Sequence, residues 1–586
     1  MLQYSTVFLI VAATATYVAT PAEPADVQVW AVPSIQKVRP DDKLEKSNLV
    51  WSGETKTVSV AGARNEHVPF QVVITAPSPP TRHDKAASGF WFEVSDLVST
   101  AGRISKARIR LYFEPVVLCY GKSSPVGATG FWPDALAPLS DPFDMTAPFR
   151  RSVKNRAVWI DVMVPEEAGA GTYSGTISIT QSGKPIDQLK LLLKVYGFAL
   201  PDETHLVTFI NVSGNWFAPH YDVKPGSPEL RALTKKYYEF LYAHRMEPWF
   251  NELLQPEFEE RADGAVAVKF DDGMYDHFMN ELKTKRVLLG VGPSKLLRDA
   301  CFPEFSEGFN NRVKSYLSQI ADYFNKHGWL DRLIINSPID EPNSAQQFSD
   351  TRKWAQLVHE AAPRVPFLVT KSPVSEHAEW GTLRGYANNF SIHGNALNEP
   401  AVKKAIPEEQ AKAGEITWYI SCDQIYPQPN YFIDAPAMDP VMVPWITWRY
   451  AMNGILYWAV NYWRQTSNPW ENPVTFLSGF LCSNGYVLNG EGSLLYPGNH
   501  TKRYTGQQNV DGPVSSIRFE LLREGIEDYE YLWLLQSLGD KKFADEAARD
   551  LVVDVSSFSR NVEELFATRE RLARRIEELS RGTRGR

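Results

Sequence analysis

Cysteine is scarce in this chain: Cys119, Cys301, Cys422 and Cys482 are the only four among 586 residues. They are far apart, with no CxxC pair and no zinc spacing. Four thiols allow up to two disulfides, spacing does not say which, and isolated structural cysteines are the default. The 11 histidines are dispersed, without HExxH or a His-plus-carboxylate cluster, so no metal is expected. A Gly-rich phosphate loop is missing, and with it the sign of a nucleotide cofactor. No long basic run exists and the net charge is -8, which argues against a nucleic-acid partner. Long apolar runs are also lacking. The one near the N-terminus, Val7-Phe8-Leu9-Ile10-Val11-Ala12-Ala13, is too short for a comfortable membrane span.

That run follows Met1 and precedes small residues leading to Thr20-Pro21-Ala22. It resembles a secretory signal cleaved after Ala22, although the segment before it holds no Lys or Arg. A secreted or periplasmic location is the expectation. The length implies two or three domains, and 44% hydrophobic residues suffice for sizeable cores. Tryptophan and tyrosine, at 17 and 25, are on the high side. Their flat faces suit the C–H patches of sugar rings, though most must be core.

From about Val27 to Leu200 the chain reads as strands divided by turns. Phe70–Ile74, Arg108–Phe113, Val158–Val162, Gly171–Ile179 and Leu189–Val195 are rich in β-branched and aromatic residues. An antiparallel β-sandwich follows from that pattern. Near Pro201 the pattern changes to strands alternating with helices. Eight strands are expected: His205–Asn211, Glu247–Phe250, Val287–Val291, Arg332–Asn336, Pro366–Thr370, Phe390–His393, Ile416–Ser421 and Gly454–Trp458. Eight is the count of a closed (β/α)8 TIM-like barrel. Ser227-Pro228-Glu229 opens one helix, and Val313, Leu317, Ile320 and Phe324 make the stripe of another, stopped at Gly328. Asp263-Gly264 marks a hairpin after the second strand. Asn484 to Val514 reads as loop, then a helix from Ile517 with Phe519, Leu522, Ile526, Tyr529 and Trp533 as its apolar face. The expected division is a signal at 1–22, sandwich at 27–200, barrel at 202–540 and helical extension at 541–586, the last a solvated helix packed on the barrel. The fold class is thus multidomain β and α/β.

The most informative stretch is Asn336-Ser337-Pro338-Ile339-Asp340-Glu341-Pro342. It follows the apolar run Leu333-Ile334-Ile335, so two neighbouring carboxylates sit where a buried strand opens into a loop. In a β/α barrel that end is where chemistry is done. Like charges so close resist joint ionisation, which favours one acid beside one anion. That is the pair that cleavage of a glycosidic bond needs. The structural alternative is that both cap the next helix and pair with surface cations.

Several stretches resemble glycoside hydrolase family 123 and the related bacterial set called domain of unknown function 4091. They are Asp340-Glu341-Pro342, Trp418-Tyr419 with Asn430 to Pro436, Gly454 to Trp458 with Asn461-Tyr462-Trp463, and Ser516 to Tyr529. In the N-terminal half, Phe131 to Leu136 and Gly171 to Gly175 are similar to the family's sandwich. The resemblance implies an exo-acting N-acetyl-β-galactosaminidase whose nucleophile is the substrate's own 2-acetamido group. Asp340 would then orient the acetamido N–H and stabilise the oxazolinium-like intermediate, and Glu341 would be general acid and base. An ionised Asp accepts only, which suits an amide N–H. A retaining β-glycosidase with a protein nucleophile is the competing enzyme. It commonly carries Asn-Glu-Pro after the fourth strand and a Glu after the seventh, whereas here Asp340 replaces the Asn and Asp423 is the only immediate carboxylate at the seventh. A non-catalytic carbohydrate-binding or scaffold protein is the alternative from another class.

Candidate sugar-binding residues lie at other strand ends. They are Asn211 with Trp216 after the first strand, Lys371 after the fifth, His393 at the sixth, and Tyr419, Tyr426 and Asn430 at or after the seventh. Trp458, Asn461 and Trp463 follow the eighth. Tyr419 is a second anchor for the acetamido oxygen if it, rather than Trp418, faces the barrel interior. Asp434 reads as a turn or cap residue, and Arg518, Glu520, Arg523, Glu527 and Asp528 as structural ion pairs. The partner expected is a glycan or glycoconjugate, and the sequence leaves the oligomeric state open.

Overall fold

Period-two burial builds the N-terminal part. In Gly171–Gln181, for example, Tyr173, Gly175, Ile177 and Ile179 are buried while their neighbours are not. The computed structural model describes residues 27–77, 88–146, 153–249, 252–261, 265–466, 468–477 and 485–584. The signal expected at 1–22, the Asp263-Gly264 turn and Cys482 lie outside them. One sheet runs in the order Gln28–Pro33, Glu66–Thr75, Asn155–Val164, Ile109–Phe113, Ala135–Pro138. The facing sheet contains Trp51–Ser52, Thr57–Arg64, Lys184–Ala199, Gly171–Gln181, Leu97–Ser99 and Gly102–Ile104, with Phe90–Val94 beside Gly171–Gln181. Val72, Ile74, Val158 and Ile160 of the first meet Ile177, Leu191 and Leu193 of the second in one core. The sandwich is not wholly antiparallel, because Thr57–Arg64 pairs with Lys184–Ala199 in parallel.

The first sheet continues with residues from far along the chain. Pro513–Ser516 pairs with Ala135 and Leu136, and Tyr496–Pro497 pairs with Pro513–Ser516. The segment expected to be loop before Val514 therefore supplies the two outer strands of the sandwich.

The second sheet system is parallel and curled. Its strands are β1 (Val207–Ile210), β2 (Val287–Gly290), β3 (Leu333–Asn336), β4 (Phe367–Val369), β5 (Asn389–His393), β6 (Ile416–Ile420) and β7 (Gly454–Tyr457), in the order β1-β7-β6-β5-β4-β3-β2. Seven of the eight expected strands form. At the place of the second there is only a parallel bridge from Ile210 to Pro248 among the described residues. Proline has no N–H to give a ladder, so Pro248 limits pairing there. The hairpin after it forms from Glu257–Glu260 and Val266–Lys269.

The major helices are α1 (Pro228–Ala243), α2 (Glu307–Lys326), α3 (Ala345–Ala361), α4 (Pro400–Gln410), α5 (Met438–Arg449), α6 (Ile517–Ser537), α7 (Lys541–Leu551) and α8 (Val562–Arg584). Ser227 caps α1 through the Leu230 amide, and Ser306 caps α2 through that of Phe309. Val313, Leu317, Ile320 and Phe324 bury the α2 face, and Gly328, at φ 73°, ends the turn beyond it.

Helix α6 departs from its expected one-sided face. Residues 517–532 are buried all round, including Arg518, Glu520, Arg523, Glu524, Glu527, Asp528 and Glu530. The helix runs between the sandwich and the curled-sheet domain, and its charges pair with both. Arg518 donates to both oxygens of Asp134 at 2.7 Å, with neither side chain exposed. Arg523 reaches Glu520 at 2.7 Å and Asp161 at 3.3 Å, and His67 meets Asp161 at 2.8 Å. Burial raises the carboxyl of Glu520, but Arg523 and His244 outweigh it and bring its pKa down to about 2. The interface also holds apolar contacts from Trp159, Tyr196 and Phe198. Helix α8, expected to pack on a barrel, lies on α6 and on the sandwich instead. Arg569 binds Asp528 at 2.6 Å, and Glu577 accepts the Gly197 amide at 2.7 Å.

Candidate active site

Alternation fixes what the curled sheet presents inward. Phe209, Leu288, Ile334, Leu368, Tyr419 and Leu456 form one interior cluster, with Trp249 packed against it. The next inward positions, two residues on, are Asn211, Gly290, Asn336, Thr370, Ser421 and Trp458. The floor is thus apolar and the rim polar. The register also decides between Trp418 and Tyr419. Tyr419 faces inward, while Trp418 turns out to donate to Thr447 of α5 at 2.8 Å.

After β3 the chain makes a tight loop. Ser337 accepts the Ile339 amide at 3.1 Å, and its own amide donates to Leu368 at 2.8 Å. The loop ends with Glu341 at φ 43°, a left-handed conformation that side chains seldom adopt. That twist parts the two carboxylates. Asp340 lines a cavity of about 390 Å3 between the ends of β1, β2 and β3. Glu341 turns to Tyr419, whose hydroxyl donates to it.

Thr370 holds both. Its hydroxyl donates to Asp340 at 2.6 Å and accepts the Glu341 amide at 3.1 Å. Burial and the charge of Glu341 raise the Tyr419 pKa far above its usual value, so the phenol stays a donor to that carboxylate. The edge of the Tyr419 ring packs on His393, with centroids 4.9 Å apart. His393 in turn sits 2.9 Å from Ser421 and 3.0 Å from Asp423. Burial pushes the Asp423 carboxyl up, but His393 and Ser421 bring it down to about 2. Asp423 also accepts from Asn395 at 3.0 Å. A carboxylate so fully engaged is poorly placed to attack an anomeric carbon.

Sequence models of a known hydrolase family match two parts of the chain. Residues 294–535 match the glycoside hydrolase 123 catalytic domain, and residues 41–181 match the glycoside hydrolase 123 N-terminal domain. The chain belongs to glycoside hydrolase family 123. A family 123 glycoside hydrolase from Clostridium perfringens, described for glycolipid glycan hydrolysis, shares the fold. It superimposes with a TM-score of 0.66 at 15% identity, over 95% of this chain and 99% of that one. A family 39 glycoside hydrolase from Bacteroides cellulosilyticus aligns far less well, with a TM-score of 0.31 at 10% identity over 75% of this chain and 80% of that one. Among curated protein sequences none matches. Membership in family 123 makes this a glycoside hydrolase.

In this hydrolase the expected sugar-binding residues divide. Asn211 and Trp216 line the cavity with Asp340. Trp458 stands beside Trp216, with centroids 6.3 Å apart, and donates to the buried Glu491. Tyr419 and His393 stand behind Glu341 rather than in the cavity wall. The others are occupied elsewhere. Asn461 spends its amide on the backbone of Ser213, donating to its carbonyl at 2.9 Å and accepting from its N–H at 3.3 Å. Asn430 donates to the carbonyls of Ser421 and Gln424 and accepts the Tyr431 amide at 2.6 Å. Trp463 is buried and donates to Ser493 at 3.0 Å. Lys371 pairs with Glu376 at 2.9 Å. Tyr426 is exposed under the guanidinium of Arg560, 4.7 Å from its ring centroid. Asp434, read as a turn or cap residue, instead makes long-range contacts, accepting from Ser123 and Asn489.

Three residues at the site escaped sequence reasoning. Thr370 was placed at a strand end, and its inward position follows from counting two on from Leu368. Trp249 and Glu252 line the cavity from the chain after the Pro248 bridge. Trp249 falls in the strand expected at Glu247–Phe250 and Glu252 just beyond it, and nothing in the local pattern marks either as cavity lining.

Proposed function

We propose that the protein removes terminal β-linked N-acetylhexosamine, N-acetylgalactosamine first, with the substrate's 2-acetamido group as nucleophile. The observation that carries this reading is the pair at the end of β3, anchored through one threonine and turned apart. Asp340 faces the cavity, where an anionic acceptor suits an acetamido N–H and then the positive charge of a cyclic intermediate. Glu341 sits outside that wall under a phenol donor, a position for protonating the leaving oxygen and later activating water. Asp423, the carboxylate a direct nucleophile would require, is engaged by His393, Ser421 and Asn395. The Clostridium relative's link to glycolipid glycans suggests that class of aglycone. We read the curled sheet as a (β/α)8-type barrel with its second strand reduced around Pro248. The apolar N-terminal segment supports export to the periplasm or medium.

The test is turnover of a panel of 4-nitrophenyl β-glycosides. The β-N-acetylgalactosaminide should be cleaved well and the plain β-galactoside very poorly. An aligned intramolecular nucleophile replaces a bimolecular attack and contributes on the order of 7–11 kcal/mol in the best cases. A thiazoline mimic of the cyclic intermediate should inhibit competitively, and the anomeric configuration should be retained. Efficient galactoside hydrolysis without thiazoline inhibition would move the nucleophile to the protein. Glycan binding with no turnover would leave a lectin-like protein.

A further inference from the structure

The wall of the cavity opposite the β3 loop has no assigned role. It is built from Asn211, Ser213, Trp216, Trp249 and Glu252, which precede the stretch matched by the family's catalytic domain. Glu252 is its one carboxylate. Its Oε1 accepts the Gly214 amide at 2.7 Å, and among the described residues its second oxygen accepts no hydrogen bond. The approach is close: a Cβ on Gly214 would lie 3.0 Å from that Oε1 and 2.7 Å from Thr234 Oγ1. Burial raises the pKa of Glu252, with the Gly214 amide opposing the shift.

Other polar atoms around the cavity are also unmet. The ring N–H of Trp249 is buried without a partner, and so is the carbonyl oxygen of Asn336. The carboxamide of Asn211 makes no hydrogen bond among the described residues. Buried polar atoms are rarely left so. An unmet N–H, an amide and acceptor oxygens around 390 Å3 of space match a small ring that carries several hydroxyls.

We propose that Glu252 is a specificity-determining residue, its open carboxylate oxygen accepting a hydroxyl at C3, C4 or C6 of the terminal sugar, with Asn211 and the Trp249 ring N–H as neighbouring partners. This rests on the reading of the site as a 2-acetamido glycosidase. With Asp340 engaged at C2, these hydroxyls are what the ring has left to offer the far wall. A site built to pair a hydroxyl rejects the analogue lacking it, because the carboxylate is then stranded.

The experiment uses the full chain, wild type and Glu252→Gln. The substrates are 4-nitrophenyl β-N-acetylgalactosaminide and its 3-, 4- and 6-deoxy analogues, and kcat/KM is measured for each. Glutamine keeps an oxygen for the Gly214 amide, so the variant tests the open oxygen rather than the fold. Wild type should lose roughly 10–100-fold on one deoxy analogue. Glu252→Gln should lose a similar factor on the parent sugar and little more on that same analogue. If the variant's loss is the same on every analogue, or it loses nothing, Glu252 only holds Gly214 and the assignment is wrong. Wild type that cleaves no β-N-acetylhexosaminide at all would instead sink the underlying reading, and this assignment with it.

Discussion

Two regions of the molecule are dense in carboxylates, and they are built on opposite rules. Along α6 the charges are stacked against partners from the sandwich, the curled-sheet domain and α8. Arg518 alone satisfies Asp134 and the carbonyls of Tyr431, Gly490 and Ser493. Around the β3 loop the carboxylates of Asp340 and Glu341 are gripped from one side by Thr370 or Tyr419 and meet no cation within salt-bridge distance among the described residues. A closed network fixes position. An open one keeps its field for a ligand, which is how electrostatics serves catalysis. Charge density alone does not separate the two cases, whereas the presence of countercharges does.

The comparison predicts where substitution costs activity and where it costs folding. The largest effect is expected at Glu341→Gln. On substrates with poor leaving groups kcat/KM should fall by about 10^2–10^4, with far less loss on activated phenols and an unchanged Tm. An equal loss on both kinds of substrate would give the proton to another group. Next, Arg518→Met strands Asp134 in the interior and should destabilise the fold by about 3–5 kcal/mol, seen as a lower denaturation midpoint. A neutral result would mean that the ionic core is dispensable.

The network should also show in acid. The folded pKa of Glu520 lies below its usual 4.5, so its stabilising contribution is present above that value and is lost as pH falls toward about 2. In Glu520→Gln the acid limb of the Tm profile over that window should flatten. A profile parallel to wild type would exclude Glu520 as its source. A smaller effect is expected at Tyr419→Phe, which removes the donor behind Glu341. A loss of roughly tenfold in kcat with KM little changed is expected, in line with one charge-assisted hydrogen bond. Smallest of all, Lys371→Ala breaks one pair with the exposed Glu376 and should change activity and stability by no more than about 1 kcal/mol.

The sequence carried much of this and misassigned some of it for a physical reason. Apolar runs ending in polar residues locate the strand ends, so Asp340, Glu341 and Asn211 stand where they were expected. Pattern gives a residue's face but not its partner. Asn430 and Asn461 follow strand ends of the curled sheet, yet loops there carry unpaired amides and carbonyls, and those consume both carboxamides. Thr370 matters because of the neighbouring β3 loop and Glu252 because of what lies across the cavity, and no local stretch encodes either. The second strand failed because Pro248 interrupts it. The α6 charges are ion pairs, as their spacing implies, but the burial of residues 517–532 depends on a sandwich hundreds of residues away.

The return of Pro513–Ser516 to the sandwich bears on the order in which the chain is made. Asp134 and Arg518 are 384 residues apart, yet the strands beside them share one sheet. While a nascent chain is still short, the edge at Ala135 and Leu136 lacks its partner strand, leaving backbone groups open to any other extended segment. It closes only after the whole curled sheet has been synthesised. The N-terminal part therefore cannot finish as an independent unit during translation, and the molecule completes both halves together near the end of synthesis. A chain cut short before Ser516 would carry that edge permanently and would be a substrate for chaperones and proteases rather than a smaller enzyme.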